Sequence, residues 1–513
     1  MENEKGVRVN PVPIKRIVNR RKTVFAAASM LLGIAAGASL YGHWAVTIVV
    51  ACLLTGVVVV GAVRKRPVAV YVLFGLIGFV AIVTAFFVRE PVPFESDDAV
   101  VRGRVAATLS LGEGDNRYLL EYIELDGKEY RGNLRLQTDA VLTEGECVVA
   151  LAAVETVPAD PFDSYAMSLA VSDIRYLAEA DAVTTEYRTP TKFYESVRLK
   201  LREGLSRTMD AEEAGVALGL ITGDRSLLSQ DIYAQAKTAG TAHIFAVSGL
   251  HVGFLAALLY GMMRLVKVRP VVSFAVVVAV LIGYGGLVGF TAGVVRATVM
   301  TACLGLARIT GRRYDALSAL AAAVIVLSLI DPTSLFQVGF QLSVTAVLGI
   351  VCFAKVLGKK LCPAKGRIAR RVGEGVSVSL AANSVASAVS VSTFGTFGIY
   401  FVAANLVVVP LIGLIYSALT CVAVLYLIFP WFEFLFIPIR YPISAVVFIT
   451  EKIAELPAAS VGVKLGVVGG ILLACAFLAL SPFHLSAKPV KITAFFVLAA
   501  GAVAASLIAL PVF

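Results

Sequence analysis

The chain has 513 residues, 58% of them hydrophobic and only 16% charged, with a mean hydropathy of +0.85 and a net charge of +10. A soluble domain carries about 45–50% apolar and about 25% charged residues, so this composition leaves too little polar surface to cover a water-facing fold. Apolar runs of about 18 residues or more recur along the chain, each long enough to cross hydrocarbon, and a soluble fold is excluded.

The first 22 residues form a basic tail, with Lys5, Arg8, Lys15, Arg16, Arg20, Arg21 and Lys22, which the positive-inside rule keeps in the cytoplasm. Apolar segments at 23–41, 44–63 and 67–88 follow, with Arg64, Lys65 and Arg66 after the second. The run after Lys22 continues into further spans without a small-residue cleavage site, so it does not read as a removable signal. The third span delivers residues 89–190 to the outer face, and there the chain changes character. Residues 90–190 hold 20 acidic and 8 basic side chains, a balance of −12, which leaves +22 for the rest. Short β-like runs (100–109, 118–125, 130–136, 147–154) and the hairpin signal Asp126-Gly127 predict a small all-β domain, a compact barrel.

Residues 191–240 read as amphipathic helices lying along the membrane interface, with Phe193, Val197, Leu201 and Leu205 on one stripe. From 241 to 513 the chain returns to the membrane. Spans are expected near 243–266, 270–289, 294–308, 315–331, 334–354, 376–395 and 399–428. Region 431–457 is interrupted by Pro438 and Pro442, and further spans lie near 462–480 and 491–512. The fold class is therefore a polytopic α-helical membrane protein of about 11–13 spans or re-entrant segments with an extracytoplasmic all-β domain. Counted from an outside start at His243, three successive turns rich in Lys and Arg (267–269, 308–313, 355–371) land on the cytoplasmic side. The seven cysteines are scattered, Cys147 alone falls in the acidic segment, and there is no CxxC pair, so neither a disulfide within that segment nor a structural zinc site is expected.

Polar groups inside spans are expensive and are the candidates for function. The densest run is GTAHIFAVSGLH (240–251), where His243 and His251 flank Ser248-Gly249. On an unbroken helix eight residues rotate two side chains about 80° apart, so both histidines can face one cavity, while Gly249 permits a local break. Arg296 sits within an apolar stretch and needs an acidic partner, water or an anionic substrate; Asp331 is a candidate partner or a cap at a span end. Ser334, Gln337, Gln341 and Thr345 form one polar stripe at 3, 4, 4 spacing, and Ser379, Asn383, Ser387 and Ser390 a second at 4, 4, 3. The first favours a water-lined surface, the second either a polar path or helix packing. Gly283, Gly285, Gly286, Gly289 and Gly293 point to close backbone contact before Arg296.

The run HIFAVSGLHVGF resembles the H-L-x-A-V-S-G-L-H signature of the ComEC-type competence proteins, channels for transforming DNA. The likeness covers most of the chain. Gly223-Asp224-Arg225 is similar to the family's G-D-R element and Arg296-Ala297 through Met300 to its R-A-x-x-M stretch. Asp331-Pro332 with Phe340-Gln341-Leu342-Ser343 resembles its D-P…F-Q-L-S segment, Asn405-Leu406 and Pro410 its N-L-x-x-x-P run, and Phe162-Asp163 with Tyr165 the F-D-Y signature closing its OB-like domain. The resemblance implies an OB-like outer domain and a channel for single-stranded DNA across the bacterial cytoplasmic membrane, with His243, Ser248, Gly249, His251, Arg296, Gln337, Gln341, Ser343, Asn383 and Asn405 along the path.

Single strands are held by basic grooves and aromatic platforms. The −12 balance argues against a strong electrostatic grip by the outer domain, where Arg102, Arg104, Arg131 and Arg135 form the candidate DNA patch. Many family members continue into a metallo-β-lactamase-like domain. This chain ends at Phe513 without an H-x-H-x-D-H run, so no metal, cofactor or catalytic residue is expected, and a receptor, a separate nuclease and a cytoplasmic ATP-dependent motor become the expected partners beside DNA and lipid. Two other readings remain: a small-solute transporter, and an intramembrane hydrolase using Ser248 with His251 or His243.

Overall fold

The computed structural model describes residues 21–64, 68–110, 115–157, 164–190, 192–245, 247–362, 366–463 and 465–480, with five single positions between 495 and 502. The basic tail before Arg21, Lys65, Arg66, Phe162-Asp163, Lys365, His484 and most of the last expected span lie outside these residues. Among the described residues, eight helices are long and apolar enough to cross a membrane, and four shorter apolar helices accompany them.

The first three helices are α1 (Lys22–Ser39), α2 (Trp44–Val63) and α3 (Val68–Arg89). Helices α1 and α3 lie so close that a Cβ on Gly33 would meet the Gly75 carbonyl oxygen at 1.9 Å, and one on Gly78 the Met30 carbonyl oxygen at 2.4 Å. Small residues at such crossings let backbones approach where lipid offers no hydrophobic drive. Met30, Ile34, Ile82 and Phe86 fill the remaining space and are fully buried.

The β domain is a closed barrel. Its strands are β1 (Ser96–Ser110), β2 (Asn116–Leu125), the two-residue β3 (Lys128–Glu129), β4 (Asn133–Thr138), β5 (Glu146–Thr156), β6 (Ile174–Glu179) and β7 (Val183–Arg188). Hydrogen bonding runs β1-β2-β4-β6-β5 and returns from β5 to β1, antiparallel throughout except for the parallel β4–β6 pair. Without β3 and β7, the ring order of first, second, third, fifth and fourth strand is that of an OB barrel. Asp126 and Gly127, both at positive φ (49° and 79°), make the expected hairpin turn between β2 and β3. Alternate residues, including Val101, Tyr118, Leu120, Leu134, Leu136, Val148 and Tyr176, point inward and are buried. The Tyr118 hydroxyl accepts from Leu142 N–H and donates to the Ala140 carbonyl, each at 3.0 Å. Strands β6 and β7, and helix α4 (Ser164–Val171) before them, have no counterpart among the β runs expected from sequence.

Three short helices link barrel to bundle: α5 (Phe193–Thr208), α6 (Ala211–Thr222) and α7 (Gln230–Thr238). The stripe on α5 is present, with Leu201 and Leu205 buried, although Phe193 is exposed. Helix α6 lacks the exposed polar face expected of an amphipathic helix. Every residue from Ala214 to Thr222 is buried. Its sequence AEEAGVALGLIT has no polar face beyond its first turn, so amphipathic periodicity does not apply to it and it sits inside a core.

The bundle continues with α8 (Gly249–Leu265), α9 (Pro270–Leu287), α10 (Ala292–Ile309) and α11 (Ala316–Ile330). Then come α12 (Val338–Gly349), which passes through a π-helical turn (Ile350–Ala354) into α13 (Lys355–Leu361), and α14 (Arg367–Phe394). The last are α15 (Phe401–Ile428), α16 (Ile437–Ala454) and α17 (Val467–Ala479). Residues 430–454, ambiguous in the sequence, form one apolar span candidate. Short strands β8 (Thr396–Gly398) and β9 (Ser460–Gly462) pair across the loops that follow α14 and α16. Helices α6, α15 and α16 share one core that includes Leu218, Ile412, Leu419 and Val446.

Candidate polar site in the membrane-spanning bundle

The HIFAVSGLH run is a helix start rather than one long helix. His243 lies in a 3-10 turn (Ala242–Ile244) and α8 begins only at Gly249, so the two histidines do not stand on one unbroken helix and the local break falls just before Gly249. Ser248 is the N-cap of α8. Its Oγ accepts from Leu250 N–H at 3.2 Å, and His251 Nδ1 accepts from Ser248 N–H at 3.1 Å and lies 3.1 Å from Ser248 Oγ. This is a capping box in which a histidine takes the place of the usual Glu or Gln. With Nδ1 accepting, the ring proton sits on Nε2, which is buried without a hydrogen-bond partner among the described residues. The His251 ring is fully buried and stands edge-on to Tyr416 of α15, centroids 5.0 Å apart.

The start of α10 lies against the start of α8. The position of a Cβ on Gly293 is 3.5 Å from Gly249 N and 3.7 Å from Ser343 Oγ of α12; a Cβ on Gly249 would meet Arg296 Nη2 at 2.4 Å. Ser248, Gly249, Arg296 and Ser343 are therefore brought together. Arg296 is buried, and its Nε has no partner among the described residues. The neighbouring glycines have separate uses. Gly285 packs on the Phe290 ring, Gly286 on the Tyr194 ring of α5, and Gly289 takes φ +78° in the turn between α9 and α10.

Asp331 is not the partner of Arg296. It accepts from Thr333 N–H at 3.0 Å and pairs with Arg89 at 3.3 Å. Arg89 is the last residue of α3, so the D-P turn ties the N-terminal helices to the bundle instead of neutralising the buried guanidinium. Pro332 is buried in the 3-10 turn (Pro332–Phe336) that follows. The first polar stripe is also corrected. Ser334 belongs to that turn and Gln337 is the N-cap of α12, so helical spacing does not join them to Gln341 and Thr345. Gln341 folds back to donate to the Leu335 carbonyl (3.1 Å), while Ser334 and Gln337 line a cleft of about 330 Å³ with Asp331, Ala292, Val295 and Leu327. In the second stripe Asn383 donates to Ser379 of its own helix at 3.2 Å. Gly349 of α12 packs on that helix, where a Cβ would meet the Ala381 carbonyl oxygen at 2.2 Å, the geometry of helix packing. Asn405 Oδ1 is buried without a partner among the described residues.

The G-D-R element lies directly behind this site. Gly223 ends α6 in the left-handed conformation (φ +78°), with Val247 packed over it, and Asp224 accepts from Ser226 N–H at 2.8 Å. The barrel docks beside it on α5. Arg104 and Glu195 form a bidentate pair (2.5 and 3.2 Å), Arg104 also donates to Thr189, and Lys192 meets Glu121 at 2.8 Å. Arg104 is thus a buried seam residue and not part of a DNA-facing patch. Arg102 is half exposed but shared between Glu124 and Glu186 (3.7 and 3.5 Å). Arg135 lines a groove with Glu95, Asp97, Glu155 and Glu179 and lies over the Tyr165 ring, leaving Arg131 exposed. The four arginines do not make one cationic surface. In the same seam, burial pushes the Glu144 carboxyl up to about 7 despite Arg198 at 3.8 Å, with Asp224 and Glu195 adding to the rise. Burial also works against the Glu195 carboxylate, but its bonds from Arg104 and from Lys192 N–H prevail and hold it below the ordinary range.

Barrel, G-D-R turn, apolar helices and polar helix starts together define a multi-pass membrane protein with an OB-like extramembrane domain. The family model described as Competence protein matches residues 220–488, just over half of the chain, and the chain belongs to that family. Among curated proteins it is similar to ComE operon protein 3 of Bacillus subtilis (strain 168), 28% identical over 216 residues, which is 42% of this chain and 27% of that protein. It is also similar to the uncharacterized protein YcaI of Escherichia coli (strain K12), 28% identical over 143 residues, 26% of this chain and 19% of that one. The matched regions therefore span only about a quarter and a fifth of the relatives' lengths. No solved structure matches the chain.

Proposed function

We propose that this chain forms the path by which single-stranded DNA crosses the bacterial cytoplasmic membrane in natural competence. Family membership supports the competence role, and the observation that carries the path is Arg296, a buried cation in a membrane bundle with no carboxylate within ion-pair distance among the described residues. A helix bundle gains nothing from an uncompensated guanidinium, whereas a conduit for a polyanion requires one. His251 Nε2, Thr298 Oγ1 and Asn405 Oδ1, all buried without partners among the described residues, extend the polar surface beyond that single charge. In this reading the basic turns of the bundle face the cytoplasm and the barrel faces outward, and a receptor, a nuclease and an ATP-driven motor work beside the chain.

The test is uptake of labelled DNA in a deletion strain complemented with the full chain. Arg296→Gln is expected to block internalisation while leaving surface-bound DNA and membrane protein level unchanged. Normal transformation by that variant sinks the path assignment.

The Ser248–His251 contact favours a second reading, an intramembrane hydrolase. The same atoms are already engaged as a helix cap: the hydroxyl takes Leu250 N–H and the ring takes Ser248 N–H. Labelling by a fluorophosphonate probe that disappears in Ser248→Ala would revive it.

A further inference from the structure

We propose that Arg296, the backbone N–H of Gly249 and the Ser343 hydroxyl form a binding site for a phosphate oxyanion, resting on the strand-path reading above when that phosphate belongs to DNA. Three observations converge. Arg296 is 7% exposed and has no hydrogen-bond or ion-pair partner among the described residues. Nε is fully enclosed, so the small remaining exposure lies elsewhere on the residue. Its Nη2 lies directly against Gly249, where an added Cβ would stand 2.4 Å from that nitrogen. The facing Gly293 is packed as closely, with Gly249 N at 3.5 Å and Ser343 Oγ at 3.7 Å from where its Cβ would stand. The two glycines thus let three hydrogen-bond donors come together.

The helix geometry adds to this. Gly249 is the first residue of α8, a helix of 17 residues, and Arg296 lies near the start of α10. The unpaired N–H groups and the positive end of a helix dipole favour an anion at such a place. Ser248 Oγ already serves Leu250 N–H, and His251 N–H and Val252 N–H turn to the Ser248 carbonyl (3.1 and 3.4 Å). Gly249 N–H is the first-turn donor left over, and it faces Gly293. A guanidinium fork, a backbone N–H and a hydroxyl are the donor set that phosphate and phosphodiester oxygens take. The site lies near the G-D-R turn, over which Val247 packs, and both a strand phosphate and a lipid headgroup phosphate share the chemistry it selects.

The full chain, purified in a phosphate-free maltoside detergent, tests this by thermal unfolding with inorganic phosphate replacing chloride at constant ionic strength. Wild type is expected to gain about 2 °C or more at saturating phosphate, Arg296→Lys to keep part of the gain, and Arg296→Gln to lose it. Arg370→Gln, which removes an exposed pair with Glu374, serves as the control and keeps the full gain. Gly249→Ala, which only displaces the end of a flexible side chain, is expected to weaken apparent phosphate affinity about tenfold. No phosphate response in wild type, or equal responses in wild type and Gly249→Ala, overturns the site. Abolition of the phosphate response by an oligothymidylate strand assigns the site to DNA. Abolition by phosphatidylglycerol alone assigns it to lipid; the oxyanion site then stands while the strand path loses its support at Arg296.

Discussion

Arg104 and Arg296 are buried to the same degree, each 7% exposed, and their surroundings are opposite. Arg104, in the seam between barrel and α5, is met by Glu195 on two nitrogens, by Thr189 and by Glu121 at 3.8 Å. Arg296, between α8 and α10, is met by glycine backbone and no acid. Burial alone therefore does not say what a cation is for, whereas the presence of a counter-charge marks one that the fold itself holds. In the seam the charge is neutralised within the fold, and in the bundle the proposed strand or phosphate would supply what the described residues do not.

The contrast can be broken at either arginine. The largest effect is expected at the seam: Arg104→Ala strands the Glu195 carboxylate and should cost about 3–5 kcal/mol, seen as a lower unfolding temperature and faster protease cleavage between barrel and α5. Stability unchanged by that substitution would deny the seam its structural role. A smaller, pH-graded effect comes from Glu144. Its folded-state value, about 7 against an ordinary 4.5, means the docked form holds the proton more tightly. Its contribution is full below about pH 4.5, falls as pH rises through 7 and is flat above. Glu144→Gln should flatten that slope of unfolding temperature against pH, and a parallel slope in the variant would remove Glu144 as its source. Arg89→Gln, breaking a partly exposed pair with Asp331, should cost about 1 kcal/mol or less. At the other end of the scale, Arg296→Gln should leave unfolding temperature in phosphate-free detergent unchanged or slightly raised, because it removes an uncompensated charge. A loss as large as that for Arg104→Ala would show that Arg296 has a structural partner.

The apolar helices and the alternating strands were legible because each follows a single period in the sequence: the runs at 23–41, 44–63 and 67–88 correspond to helices at 22–39, 44–63 and 68–89. The ambiguities arose where a period is interrupted. Ser334 to Thr345 has helical spacing, but Pro332 and the 3-10 turn delay the helix until Val338, which splits the stripe. Asp331 reads against Arg296 in the sequence, and only the fold brings Arg89, more than two hundred positions away, to its side. Arg102 and Arg104 stand two positions apart on β1, where alternation assigns both to one face, yet Glu195 of α5 covers one and leaves the other half exposed. Gly249 and Gly293 were visible as glycines, and their mutual approach was not, since 44 positions separate them.

Helix α6 carries a consequence for how the molecule is made. It is buried from Ala214 to Thr222 against Val408, Ile412 and Leu419 of α15 and Ile443 and Val446 of α16, which are synthesised roughly two hundred residues later. At about 5–20 residues per second a nascent chain holds that apolar helix without its partners for about 10–40 seconds. During that interval α6 must rest against lipid or an insertion factor, although it is too short to span the bilayer on its own. Chains terminated before α15 would never bury it, so such fragments should be cleared by membrane proteases while the full chain persists.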